Sequence, residues 1–205
     1  MQCLTPVGEF AYPSVFRPAR PMDGDDPNRE PQYQLTILWD KDDPGLQKIE
    51  DAVLKVAESK WGKNAGKMLD KGQLHNPLRD GDDKDVDWME GKVYLKAVST
   101  ERPDVVDEDL EDIIDSKEIY AGAIGRMDIW LYPFDKRGNK GVAAILNNVQ
   151  KTEEGERKGG RRSANEAFGD GGGRRGRSSK GGSGSSKSRS SKSSRRGRDS
   201  EDDMM

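Results

Sequence analysis

The side chains best placed to do chemistry lie in one stretch, Arg126, Trp130, Tyr132, Lys136, Arg137 and Lys140. Alternation there puts Met127, Ile129 and Leu131 on one face of a strand and Asp128, Trp130 and Tyr132 on the other. If the Met/Ile/Leu face is core, two rings stand exposed beside cations. That combination suits a single-stranded nucleic acid, because bases stack on rings while cations follow phosphates, with little demand on sequence. The competing reading packs Trp130 and Tyr132 under a helix or loop, as tryptophan usually is, and leaves the charges as turn solvation. A second strand, residues 91–99, turns Val93, Leu95 and Ala97 one way and Tyr94, Lys96 and Val98 the other, with Arg102 just beyond. Tyr94, Lys96 and Arg102 join the candidate contact set.

A second cluster is acidic. Between His75 and Asp87, Asp83, Asp85 and Asp87 have the opening spacing of a calcium loop, but Trp88 stands where that loop needs Gly and Tyr94 where it needs Glu. Aspartates crowded in a loop read more simply as turn formers. One histidine and one cysteine, Cys3, are too few for a histidine triad or a Cys/His zinc site. Neither Gly122-Ala-Ile-Gly125 nor Gly159-Gly160 matches a nucleotide-binding glycine loop. No catalytic residue, metal or cofactor is expected.

The elements that must position these residues follow from periodicity. Residues 7–12 read as a short strand ending at Pro13, and 32–39 as a strand with Tyr33, Leu35, Ile37 and Trp39 inward. Asp43 and Pro44 suit the start of a helix whose stripe is Leu46, Ile49, Val53, Val56 and Ala57 and which ends near Trp61-Gly62. Residues 62–90 read as a long loop with one short helix at 65–69, and 107–115 as an acidic, helical insertion. Residues 126–132 and 142–150 pair as a hairpin about the 135–140 turn. The sum is a mostly β fold, an OB-like antiparallel barrel with one α-helix and long loops.

Composition divides the chain. Residues 1–150 carry 20 Lys+Arg against 29 Asp+Glu, so any polyanion contact there must use a local basic face; residues 151–205 carry 15 against 9. From Gly171 to Arg198 only Gly, Ser, Lys and Arg occur, with ten positive charges including Arg174, Arg175 and Arg177. Such a stretch buries nothing and is expected to be disordered. An acidic tip follows: Asp199, Glu201, Asp202, Asp203, then Met204 and Met205. The expected divisions are 1–168 as the folded, OB-like part, 169–198 as a basic arm and 199–205 as the tip. The lone cysteine fits a reducing cytoplasm, and no run is long enough for a membrane span or signal-peptide core.

Several blocks in order resemble tailed-phage single-stranded-DNA-binding, helix-destabilising proteins: Phe10-Ala-Tyr-Pro-Ser-Val-Phe16, Pro77-Leu-Arg-Asp-Gly-Asp82, Arg102-Pro-Asp-Val-Val-Asp107 and Ile119-Tyr-Ala-Gly-Ala-Ile-Gly-Arg126. The longest runs from Tyr132-Pro-Phe-Asp-Lys-Arg-Gly-Asn-Lys140 to Asn148-Val-Gln-Lys151, and Gly159-Gly160-Arg161 and Phe168 come after it. The resemblance implies an OB fold, sequence-independent binding of single-stranded DNA, homodimers, and an acidic tail that contacts replication or recombination proteins such as a polymerase, helicase or exonuclease, in the cytoplasm of the infected host. Two features depart from that pattern. The tip ends in Met204-Met205 where an aromatic or bulky apolar residue is usual, and the segment before it is far more basic than a neutral tether. Two other classes remain open at this point: an RNA-binding protein with a phosphorylatable Ser/Arg-rich tail, and a metal-dependent nuclease built from the acidic loops.

Overall fold

Alternating apolar and polar residues build the largest share of the described chain into strands. The computed structural model describes residues 1–20, 30–136 and 138–158. The expectations for Arg137, Arg174, Arg175, Arg177 and the tip residues Asp199, Glu201, Asp202, Asp203, Met204 and Met205 lie outside them. In chain order the elements are β1 (Gln2–Leu4), β2 (Gly8–Ala19), β3 (Gln32–Asp40), α1 (Leu46–Trp61), α2 (Ala65–Asp70), β4 (Leu78–Asp80), β5 (Lys92–Ser99), β6 (Asp104–Val106), β7 (Ile124–Lys136) and β8 (Asn139–Glu153).

Five strands form a ring. β7 pairs with β2, β2 with β3, β3 with β5 and β7 with β8, all antiparallel. The last junction, β5 against β8, is parallel and touches at one pair, Val98 and Ile145. The fold is mostly β and OB-like as expected, but its strands are not antiparallel throughout. A closed ring with an odd number of strands must contain a parallel junction, since direction cannot alternate all the way round. β6 also lies parallel on β8, and β1 extends the sheet beyond β7.

The interior is filled from alternate positions, with Phe10, Leu35, Ile37, Leu95, Met127, Ile129, Leu131 and Leu146 all almost completely buried. Burying each such side chain contributes about 1.5–3 kcal/mol before ordering costs are subtracted. The buried stripe of α1 (Leu46, Ile49, Ala52, Val53, Val56 and Ala57) packs on β7 and β8 and joins this core.

Several local expectations are corrected. β2 continues through Pro13 to Ala19, because a register shift between Ala11 and Ser14 takes the proline out of the ladder. Asp43 does not cap α1; its Oδ1 accepts the Gly45 N–H at 2.7 Å, ahead of the first helical residue. Residues 107–115 are not helical, since Asp107 Oδ1 accepts the N–H groups of Asp109 and Glu111, each at 2.9 Å, and holds a turn instead. Cys3, near an end of the chain that the sequence leaves without a strand, sits in β1 and is buried against the core. β3 is buried on both faces toward its end, with Leu38 under Met89, Tyr94 and Ala11.

Away from the Val98–Ile145 pair, β5 and β8 are joined by residues 75–80, which act as a splint. β4 pairs with β5 (Leu78 with Leu95, Arg79 with Tyr94), while His75 bridges to Gly141 at the start of β8. The His75 N–H donates to Lys140 O at 2.8 Å and the Val142 N–H donates to His75 O at 2.9 Å. Gly141 is required at this crossing: its φ is +157°, and a Cβ would lie 2.4 Å from both the backbone N and O of His75. The His75 ring adds to the joint. Nδ1 is 3.2 Å from the Val142 carbonyl and therefore donates, and Nε2 is left to accept from Arg79. Burial, and then the nearby Arg79 charge, push the His75 pKa below its ordinary value.

Two outcomes are expected from this joint. Gly141→Ala should cost about 2–3 kcal/mol, a fall in Tm of roughly 5–10 °C by tryptophan fluorescence, and an unchanged Tm would show that the splint yields freely. His75 binds its proton more weakly folded than unfolded, so the unfolded state takes up the proton first as pH falls. The stability contribution is complete above about pH 6.5 and declines below it as pH approaches the lowered folded value. An NMR titration of the single histidine should therefore show a midpoint below that of a model peptide, and His75→Gln should flatten the stability slope in that window.

Candidate nucleic-acid interface

The outward face of the ring carries a row of cross-strand neighbours: Ser14 on β2 beside Gln34 on β3, Gln34 beside Val98 on β5, Val98 beside Ile145 on β8, and Ile145 beside Trp130 on β7. None of the five is fully buried, and Trp130 is 47% exposed. The row is the floor between two hollows that meet at Val98. The first, about 600 Å³, is lined by Tyr12, Gln34, Thr36, His75, Pro77, Arg79, Lys84, Tyr94, Lys96 and Ala143 among others. The second, about 610 Å³, is lined by Gln32, Ser99, Arg102, Asp104, Tyr132, Ile145 and Asn147 among others. Together they make a trough with a small apolar floor and aromatic and cationic walls.

Its electrostatics are uneven. The lining of the first hollow holds Arg79, Lys84 and Lys96 and no carboxylate. That of the second sets Arg102 against Glu101 and Asp104. The lining charge thus makes the first hollow the better of the two for a polyanion, although residues 1–150 are acidic overall. Lys84 Nζ lies 6.0 Å from the centre of the Tyr94 ring, and the Arg102 guanidinium lies 5.8 Å from that of Phe16. Both cations are thereby held near rings on the trough walls.

The structure gathers five of the eight described residues of the sequence-derived set here. Tyr94 and Lys96 line the first hollow, Tyr132 and Arg102 the second, and Trp130 ends the row between them. Tyr94 is only 7% exposed, covered by the Asp87–Met89 turn, so it is a wall rather than an open platform. Lys136 is exposed and Lys140 half-buried at the far end of the β7–β8 hairpin. Arg126 stands apart. Its Nε donates to Gln150 Oε1 at 2.8 Å, and Asp128 lies between it and Trp130 on the same face, accepting from Gln2 and Asn148. The alternation that exposes Arg126 also exposes this acid.

Sequence reasoning missed Tyr12, Gln34, Arg79 and Lys84. Tyr12 has φ +47° within the β2 bulge, which sends an exposed ring into the trough 5.6 Å from Trp88. An aromatic residue directly before a proline inside a strand pattern was the available signal. Arg79 and Lys84 lie in the long stretch read as loop, where nothing local indicates which strand they will meet. Two acids of that stretch are structural: Lys41 Nζ bridges Asp80 at 2.7 Å and Asp82 at 2.5 Å, and Asp82 Oδ1 accepts the Gly91 N–H at 2.6 Å. Hydrogen bonding to Lys41 lowers the pKa of both carboxyls. Among the described residues no group of three or more His, Cys, Asp or Glu could hold a metal ion.

The chain is similar to several phage proteins. A protein called p50 from Acyrthosiphon pisum secondary endosymbiont phage 1 is 29% identical over 168 residues, 78% of this chain and 89% of its own. The single-stranded DNA-binding protein from bacteriophage Enc34, solved in complex with ssDNA, is 24% identical with a TM-score of 0.62, the match covering 77% of this chain and 89% of that one. Gp2.5, a single-stranded DNA-binding protein encoded by bacteriophage T7, shares the fold at 16% identity and a TM-score of 0.57 over 76% of this chain and 93% of its own. Residues 2–176 match the family described as Enterobacter phage Enc34, ssDNA-binding protein. With the match spanning the ring and its trough, the chain belongs to this family of phage ssDNA-binding proteins.

Proposed function

We propose that this chain binds single-stranded DNA along the trough without reading its sequence, as a non-enzymatic coating protein of phage replication or recombination. The observation that carries the reading is the trough itself: an apolar row from Val98 through Ile145 to the exposed Trp130, with a hollow beside it that holds three cations and no carboxylate in its lining. Splayed bases fit the floor and rings, and phosphates fit the cationic wall. A duplex presents neither its base faces nor a strand narrow enough for such a hollow. Membership of the family supports the same reading, as does a relative solved with ssDNA. Among the described residues no helix is long and apolar enough to cross a membrane.

The remaining parts of the function rest on sequence. The ten positive charges between Gly171 and Arg198 supply a second electrostatic contact to DNA, Arg174, Arg175 and Arg177 included. The acids at Asp199, Glu201, Asp202 and Asp203 compete with DNA for basic surface and offer a contact to replication or recombination enzymes. The chain works as a homodimer in the cytoplasm of the infected cell.

Stacking should show in the trough variants. Trp130→Ala and Tyr132→Ala should each weaken binding of labelled oligo-dT by about 1–3 kcal/mol in anisotropy titrations while the fold survives. Mixed-sequence single strands should compete well and duplex DNA poorly. Unchanged affinity in both variants would remove the trough from the binding site, and preferential competition by RNA would favour an RNA-binding role. The tail should act in two directions. Deleting 199–205 should tighten binding at low salt, with the gain fading as salt screens the competition. Deleting 174–205 should flatten the slope of log affinity against log salt by about 0.7 for each phosphate that the arm no longer neutralises. Three coincident salt series would reduce the tail to a passive tether.

A further inference from the structure

We infer that His75 is a positioning residue for Arg79, holding its guanidinium in the trough so that it meets a phosphate of the bound strand. The inference rests on the trough being the DNA site. It goes further by naming a phosphate-contacting arginine and the residue that aims it.

The geometry is over-determined on the histidine side. Its backbone is bonded on both edges to β8, through Lys140 O and the Val142 N–H. Its ring sits edge-on to Phe134, with centroids 5.9 Å apart, and its Nδ1 meets Val142 O at 3.2 Å. Such a ring cannot turn, and with the proton on Nδ1 the Nε2 lone pair has one fixed direction, toward Arg79 Nη2. Arg79 depends on that acceptor. It is exposed on β4, and among the described residues no carboxylate lies within ion-pair distance of it, whereas the neighbouring Asp80 is taken by Lys41. An arginine with no anchor spreads over many rotamers. One N–H bonded to a fixed imidazole removes much of that freedom and keeps the rest of the planar fork for a phosphate, which it can engage through two bonds. A neutral acceptor is the better anchor here, since a carboxylate would hold the arginine as well but would repel the phosphate.

A mutant cycle read by oligo-dT anisotropy tests this, with thermal unfolding as the check on folding. Arg79→Ala and His75→Leu should each weaken binding about three- to tenfold, as removal of one charge-assisted hydrogen bond does. The double variant should be no weaker than Arg79→Ala beyond about twofold, because His75 acts only through Arg79. His75→Gln should keep most of the affinity, since its Oε1 can accept the same N–H. Additive losses in the double variant, or a glutamine variant as weak as leucine, would overturn the inference. If Arg79→Ala binds normally while Trp130→Ala and Tyr132→Ala do not, the trough stands and the inference fails. If none of these variants changes affinity, it is the trough that fails. Should His75→Leu not fold, the ¹⁵N shift of His75 Nε2 decides: it should move in Arg79→Ala and again when oligo-dT binds, and a fixed shift in both would sink the proposal.

Discussion

Five strands cannot alternate direction around a closed ring, so one junction has to be parallel, and most of what is distinctive here follows from where that junction falls. β5 and β8 meet directly at Val98 and Ile145. A gap left between them would expose ladder groups of both strands, which is costly unless something else pairs with them. Residues 75–80 do so, pairing with β5 through Leu78, Arg79 and Asp80 and with β8 through His75. The same segment is one wall of the cationic hollow. Ring closure and the trough are therefore one piece of structure, and a change that loosens the splint acts on both.

The placement of charge follows from the same arrangement. Residues 1–150 are acidic overall, yet several of their acids are engaged by backbone and lysine partners, while Glu101 and Asp104 line only the second hollow. Asp80 and Asp82 hold Lys41, Asp82 also holds the Gly91 N–H, and Asp107 holds the turn after β6. Carboxylates used in this way shape loops and stay off the lining of the first hollow. A phosphate responds to the local field at the surface it approaches more than to net charge.

The C-terminal end of the described chain is tied down by side chains and close backbone packing together. The Tyr120 hydroxyl donates to Glu154 and accepts the Gly155 N–H at 3.2 Å, and the Arg157 guanidinium lies 3.9 Å from the centre of its ring. Gly122 and Gly155 allow the two segments to touch, since a Cβ on either would stand 1.8 Å from a carbonyl oxygen. The described chain is thus clamped to the ring as far as Lys158, whose N–H donates to Ala121 O at 2.8 Å.

Periodicity determined the β7–β8 hairpin and its inward face: Met127, Ile129 and Leu131 are buried and Trp130 is exposed, as alternation alone requires. The blocks resembling phage proteins pointed to the family that the match over residues 2–176 shows. Other parts of the site were decided by tertiary structure. Alternation says which residues share a face but not what covers that face, so Tyr94 read as exposed although the 87–89 turn lies over it. A bulge breaks the period of two, so Tyr12 left the pattern at the point where it enters the trough. His75 and Val142 are 67 residues apart, and Arg79 acquires its place only when that contact forms. Local patterning constrains neighbours along the chain, whereas the trough is made of neighbours across it, chosen by which backbone edges had to be paired to close the ring.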